Sequence, residues 1–168
     1  MRLDSYGMEW GKVRKMVKKP NGCIVVGIGN PLLKDDRAGI EVVEALKARN
    51  SKVNTAILYS CSVDVLNTIL GYDEAVIVDA CQMGIAPGTV LEMTPETFFD
   101  SYRGSNAQGM TLGTMLKAGK SVFADRMPDK IKIILVEAED MSSFSTKCTP
   151  VVSHAISDVV ARIQIATA

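Results

Sequence analysis

Apolar residues follow two alternating patterns along this chain. Five short apolar runs bounded by turn residues have β-strand character, and they span residues 23–27, 53–59, 75–80, 89–93 and 131–137. Three of them (CIVVG, AVIVDA and IKIILVEA) are almost continuously apolar, as strands covered on both faces are. Residues 38–48, 63–70, 111–123 and 151–165 repeat apolar side chains with helical spacing. The alternation predicts an α/β fold, a largely parallel five-stranded sheet with helices on both faces.

Length and charge narrow the possibilities for domains and partners. The 168 residues suffice for one domain with a full core, which we place at residues 22–168. Residues 1–21 form a basic N-terminal extension, whose weak apolar stripe is compatible with a helix. The chain has 19 basic and 19 acidic residues, so no long-range field attracts nucleic acid or an anionic membrane. No run approaches the roughly 20 apolar residues that span a bilayer, and the oligomeric state stays open.

The four cysteines are far apart and form no CxxC pair. They are Cys23, Cys61, Cys81 and Cys148, and each lies within or beside an apolar run. This spacing favours reduced core thiols over a disulfide framework or a zinc site. We therefore expect a cytoplasmic protein without a resident cofactor.

Carboxylates follow two of the predicted strands. The first strand runs into GIGNPLLKDD, in which Leu32 occupies the position of the third glycine that a dinucleotide-binding turn needs, so a nucleotide site is excluded. The turn instead directs Asp35 and Asp36 across the top of the sheet. Asp79 ends the third strand, where a carboxylate is costly unless it is paired, hydrogen-bonded or bound to a metal. Since both strands should be neighbours, we predict that Asp36 and Asp79 face one cleft at the carboxyl ends of strands.

Several sequence blocks resemble one enzyme family in order and spacing. GIGNPLLKDDRAG is similar to the GxGNxLxxDDGxG signature of the hydrogenase maturation peptidases, VIVDACQMGIAPGTV resembles their second block, and CTPVVSHAI resembles their final segment. The resemblance covers about residues 22 to 165. It implies a three-layer α/β sandwich and an endopeptidase that removes the C-terminal extension of a [NiFe] hydrogenase large-subunit precursor.

The resemblance also implies a metal site for nickel that is already seated in the precursor. In the family, two acidic residues and a later histidine face that nickel, and the acidic residues correspond to Asp36 and Asp79. Gln108 stands where the histidine is expected, and Tyr59-Ser60-Cys61 replaces the Asp-Gly-Gly of the family. The only histidine, His154, falls in the last helical pattern and is interpreted as a surface residue. The implied metal-facing set is therefore Asp36, Asp79 and Gln108.

The replacement of histidine changes the chemistry expected of this site. Imidazole suits nickel, whereas carboxylate and amide oxygens suit harder ions. Cysteine thiolates of the precursor would then supply most of the affinity, and the metal reports that the substrate is mature. Either Asp36 or Asp79 can act as general base on a water that attacks the scissile carbonyl. Asp35 is assigned a structural role, either capping the following helix or orienting Asp36.

Two other functions remain open at this stage. GxGNP also opens peptidyl-tRNA hydrolases, but LLKDDRAG lacks the Arg-His-Asn run of those enzymes, and the balanced charge disfavours RNA. The loss of the histidine is compatible with a non-catalytic protein of the same fold that checks the nickel site or acts as a chaperone.

Overall fold

The computed structural model describes residues 22–49, 51–101 and 107–167, with the side chains of 107–111 left out. The predicted extension at residues 1–21 lies outside the described residues. The strands are β1 (Cys23–Ile28), β2 (Asn54–Leu58), β3 (Glu74–Cys81), β4 (Val90–Met93) and β5 (Lys130–Glu137). The α-helices are α1 (Ala38–Ala48), α2 (Asp64–Ile69), α3 (Pro95–Ser101), α4 (Ala107–Val122) and α5 (Pro150–Ala166), and a 3₁₀ turn spans Ala124–Arg126.

The five strands form one sheet in the order β2-β1-β3-β5-β4. β1 pairs in parallel with β2 and β3, and β3 pairs in parallel with β5. The short edge strand β4 pairs with β5, and among the pairings of the described strands this one is antiparallel. β1 and β3 are therefore neighbours, as the sequence predicted. The loops that follow the parallel strands meet along the side of the sheet where the carboxyl ends of these strands lie. We call this the carboxyl edge.

Two apolar clusters, one on each face of the sheet, make up the core. One cluster packs α1 and α5 against Val25, Val78 and Ile134. The other packs α2, α3 and α4 against Val26, Ile77 and Ile133. Successive residues of one strand thus point into different clusters, as strand geometry requires. The predicted three-layer arrangement is confirmed. None of the described helices is both long and apolar enough to cross a membrane.

The observed elements differ from the sequence expectations in two places. α3 was missed because its seven residues are too few to repeat an apolar spacing, and only Phe98 is buried. α4 begins at Ala107, four residues before the predicted start. Gly109 lies in this first turn, and the weak helix propensity of glycine hid the true beginning.

α1 lies directly on the backbone of the sheet. A Cβ atom on Gly39 would lie 2.3 Å from the carbonyl oxygen of Ile28 and 2.4 Å from that of Val78. A Cβ on Gly27 would lie 2.0 Å from the carbonyl oxygen of Gly39. Only glycine fits both positions, and this contact brings the start of α1 to the seam between β1 and β3.

Candidate active site

Asp36 and Asp79 both lie at the carboxyl edge of the sheet, beside the seam between β1 and β3. Asp79 is the sixth residue of β3 and pairs in register with Leu135 of β5. Asp36 lies in the loop between β1 and α1, where a Cβ on Gly29 would approach its carbonyl oxygen to 2.0 Å. The loop folds back over the end of β1, and this path brings the backbone of Asp36 close to Gly29. Both aspartates are half-buried.

The two carboxylates act on each other electrostatically. The pKa of Asp79 is raised to about 8, mainly by burial and to a smaller extent by the negative charge of Asp36, while a 2.9 Å hydrogen bond from the N–H of Ala80 lowers it. Burial also raises the pKa of Asp36, against a hydrogen bond from the backbone N–H of Asn30. The structure therefore brings the two predicted residues into one electrostatic site, in which a bound cation would favour the ionised form of Asp79.

Cys61 is a third member of this site that the sequence interpretation assigned only to the core. Its thiol lies in the loop after β2, and burial together with the nearby charge of Asp79 raises its pKa to about 11. The thiol therefore stays protonated at neutral pH. Cys61 stands where the family has glycine, but its proximity to Asp79 depends on the path of the loop and could not be predicted from the sequence.

Asp35 is fully buried and holds the loop between β5 and α5. Its carboxylate accepts hydrogen bonds from the backbone N–H groups of Glu139 (3.0 Å), Asp140 (3.0 Å) and Thr149 (2.7 Å), and from the hydroxyl of Thr149 (3.1 Å). It makes no cap to α1, whose first residue follows Arg37 without a side-chain capping bond. Its role is structural as predicted, but the partner is a loop more than 100 residues away.

Glu137 holds a second loop of the same edge, the segment 82–89 between β3 and β4. Its carboxylate, 2% exposed, accepts hydrogen bonds from the N–H groups of Met83, Gly84 and Ile85 and from the thiol of Cys81. Sequence analysis treated Glu137 only as a strand residue. Like Asp79, Glu137 stands at the end of an apolar strand, where a carboxylate needs a partner, and this signal was available in the sequence.

The loops after β1 and β5 also bind each other. The N–H of Lys34 donates to the carbonyl of Ser143, and that of Ser145 donates to the carbonyl of Leu32. The ammonium of Lys34 pairs with Asp140 at 3.2 Å, and Arg37 pairs with Glu41 at 2.9 Å. The loops after β1 and β5 therefore form one hydrogen-bonded ribbon beside Asp36.

Gln108 lies in the first turn of α4, and its side chain is outside the described part of the structure. The prediction that its amide faces the two aspartates stays a prediction. His154 is exposed on α5, in agreement with a surface role. No three histidine, cysteine, aspartate or glutamate side chains among the described residues are grouped so that they could hold a metal ion. A cation at Asp36 and Asp79 would need further donors from elsewhere.

A cavity of about 490 Å³ lies at the opposite edge of the sheet. It is bordered by Cys23, Glu74 and Lys130, the first residues of three parallel strands, and by the end of α5. None of the predicted site residues lines it. The chemistry expected from the sequence is therefore confined to the carboxyl edge.

Comparisons with known proteins identify the family to which this chain belongs. The family model of the hydrogenase maturation protease HycI matches residues 40–165. The structure of the hydrogenase maturating endopeptidase HybD from E. coli superposes with a TM-score of 0.72 at 24% identity, covering 86% of this chain and 91% of that one. The [NiFe] hydrogenase maturation protease HybD from Thermococcus kodakarensis gives a TM-score of 0.69 at 21% identity, covering 88% and 99%.

A third structure has the same fold, the [NiFe] hydrogenase maturation protease HycI from Thermococcus kodakarensis KOD1. It superposes with a TM-score of 0.63 at 20% identity and covers 86% of this chain and 90% of that one. No curated protein matches significantly in sequence. These structural likenesses establish the fold, whereas the family model spans most of the chain. The chain therefore belongs to the hydrogenase maturation protease family, a family of peptidases.

Proposed function

We propose that this protein is a cytoplasmic endopeptidase of aspartyl type that removes the C-terminal extension of a [NiFe] hydrogenase large-subunit precursor after nickel insertion. The observation that carries the proposal is the pair of half-buried carboxylates, Asp36 and Asp79, which follow neighbouring parallel strands and interact electrostatically. Family membership supplies the reaction class. The four free cysteines suit a reducing compartment.

Nickel enters this scheme as part of the substrate. Two carboxylates and the amide of Gln108 are weak donors for a free nickel ion, because nickel prefers nitrogen and sulfur ligands. The precursor would bring the metal with its own cysteine thiolates, and the oxygen donors of this chain would complete the contact. Binding then depends on nickel having been inserted, and the enzyme gains nothing from holding the ion alone.

Peptide hydrolysis needs a base that takes a proton from water as the water attacks the scissile carbonyl. Asp36 and Asp79 are the side chains proposed for this role; Asp79, whose pKa is about 8, can act as the base only after it has lost its proton, which a bound cation favours. One backbone N–H binds each carboxylate, that of Asn30 for Asp36 and that of Ala80 for Asp79. Gln108 would hold one carboxylate in place through its NH₂ group.

Asp36→Asn and Asp79→Asn test the proposal most directly. Each substitution removes a possible base while keeping the shape of the side chain, so we expect the cleavage rate of a nickel-loaded precursor to fall at least about 100-fold. Asp158→Asn changes an exposed aspartate on α5 and should cleave at the parental rate. Intact mass spectrometry of the precursor measures the loss of the extension.

The same assay separates the proposal from a non-catalytic function. The replacement of histidine by Gln108 is the observation that favours a nickel-site checking protein or chaperone. If the parent protein leaves the precursor full-length while a known maturation peptidase shortens it, the peptidase proposal is wrong. Co-purification of the uncleaved precursor with the parent protein would then support the checking function.

A further inference from the structure

Large apolar side chains are concentrated at the carboxyl edge around the candidate site. Among the described residues, six of them stand exposed on the loops that follow β1, β2, β3 and β5, and we call them the apolar rim: Leu32, Tyr59, Val63, Met83, Ile85 and Phe144. Phe144 is 83% exposed and Tyr59 is 69% exposed. Val151, at the start of α5, is exposed beside Gly88 of the same edge.

The other two large apolar side chains described as exposed lie elsewhere. Val122 ends α4 next to the 3₁₀ turn, whose Arg126 carbonyl accepts a bond from Gly71 at the entry to β3. Ile165 lies at the end of α5, beside the residues that border the opposite cavity. The distribution is therefore one-sided, and the exposed apolar surface surrounds Asp36 and Asp79.

Hydrogen bonds to buried carboxylates or between loops hold the segments that carry four of the six rim residues, Leu32, Met83, Ile85 and Phe144. Asp35 fixes the loop that carries Phe144, and this loop in turn bonds to the backbone of Leu32. Glu137 fixes the loop that carries Met83 and Ile85 through their own N–H groups. A partner that covers these residues would lose little free energy in ordering the loops.

Charge has a small part at this edge. The ribbon cations Lys34 and Arg37 are paired within the chain, the exposed Glu139 and Lys147 of the loop after β5 have opposite signs, and the whole chain has no net charge. Contiguous exposed apolar surface marks interaction sites in soluble proteins, and the cores of interfaces are rich in Tyr, Phe and Met. Because the family cleaves protein substrates, a protein that brings its peptide bond to Asp36 and Asp79 must lie against these loops.

We propose that the apolar rim is the docking surface for the folded body of the large-subunit precursor, and that it binds by apolar burial. The proposal rests on the proposed function for the identity of this partner. The precursor should present a complementary apolar surface around the base of its extension. Affinity should then change little with salt, since ion pairs across the interface are few.

Binding of the nickel-loaded precursor, measured separately from cleavage, tests the rim. We expect Phe144→Ala and Met83→Ala each to weaken binding about tenfold, as loss of a central apolar contact does. Ile165→Ala is the matched control, since Ile165 is 80% exposed at the other edge, and its affinity should stay within about twofold of the parent. In cleavage, the rim variants should raise KM and leave kcat unchanged. Circular dichroism confirms that each variant is folded.

The possible outcomes are distinguishable. If the parent binds and the rim variants bind equally well, the docking proposal is wrong even where the parent cleaves. If the rim variants lose binding but the parent never cleaves, the docking surface stands and the peptidase function fails. Failure of the parent to bind overturns the docking proposal. If light scattering shows a dimer that the rim variants dissociate, the rim is an interface between two copies and the proposal is also overturned.

Discussion

Two adjacent aspartates of this chain serve opposite purposes. The carboxylate of Asp35 is fully buried and fully occupied, with four hydrogen bonds from the loop before α5. The carboxylate of Asp36 stays half-buried at the cleft, beside Asp79. The difference follows from the backbone, since consecutive residues in this folded-back loop point in different directions. One residue organises the site and the other is available to a substrate.

Gln108 provides a test at the scale of a single residue. If its amide assists Asp36 and Asp79, Gln108→Ala should slow precursor cleavage about 10- to 100-fold, as loss of a supporting ligand commonly does. Gln108→His should cleave like the parent and bind free nickel more tightly, because imidazole is the better nickel ligand. Cleavage rates and calorimetric nickel titrations measure both effects. Parental values for both variants would remove Gln108 from the site.

Buried carboxylates organise the loops of the carboxyl edge. Each of the two loops that they hold follows a different strand, and each carboxylate accepts bonds from consecutive backbone N–H groups. Such bonds give a short loop one conformation without a covering helix or strand. The loop that carries Met83 and Ile85 is therefore held by three hydrogen bonds from its backbone N–H groups to Glu137.

Glu137→Ala tests the loop between β3 and β4. Removing the carboxylate leaves three N–H groups to find water, and we expect the free energy of unfolding to fall by about 1–3 kcal/mol. Hydrogen exchange at Met83, Gly84 and Ile85 should accelerate more than exchange in β3. Urea unfolding and mass-resolved hydrogen exchange measure the two effects. Glu139→Ala is the control, because Glu139 is exposed two residues further along. Equal exchange in both variants would contradict the assigned role of Glu137.

The sheet and most helices could be predicted from the sequence because their apolar periodicity is local. The strand bounds agree within one or two residues, and the bounds of α1 agree in full. The placement of Asp36 and Asp79 at the carboxyl ends of neighbouring parallel strands followed from the rule that ligands gather there. The short α3 and the early start of α4 could not be predicted, since their signals are weak or interrupted by glycine.

Long-range contacts of single residues also escaped prediction. The partners of Asp35 are more than 100 residues away in sequence, and those of Glu137 more than 50 residues away. No spacing along one chain encodes such a distance. The proximity of Cys61 to Asp79 likewise depends on the path of the loop after β2.

At the scale of the whole molecule, the half-buried Asp79 makes stability depend on pH. Its pKa is about 8 in the folded state against an ordinary 3.8, so the folded protein keeps a proton that the unfolded chain releases between these values. The free energy of unfolding should therefore fall as pH rises from about 4 to about 8, in protein kept free of metal. Urea unfolding across this range, with a chelator present, measures the slope.

Asp79→Asn isolates this effect from the other titrating groups. The amide cannot ionise, so the variant should lose less stability than the parent over the same range, and the two curves should converge at the acidic end. Asp158→Asn should follow the parent. Parallel curves for the parent and Asp79→Asn would show that Asp79 titrates normally in the folded protein.

The bond between Asp35 and Thr149 joins residues 114 positions apart, and this separation has a consequence during synthesis. A ribosome releases β1 and its loop early, but the groups that fix the loop emerge only with the last helix. The nascent chain therefore carries Asp36, and later Asp79, before the loops around them can be fixed. Loss of the C-terminal helix, which contains none of the proposed catalytic residues, should disable the cleft as completely as loss of an aspartate. Assembly of the site therefore waits until Thr149 has left the ribosome.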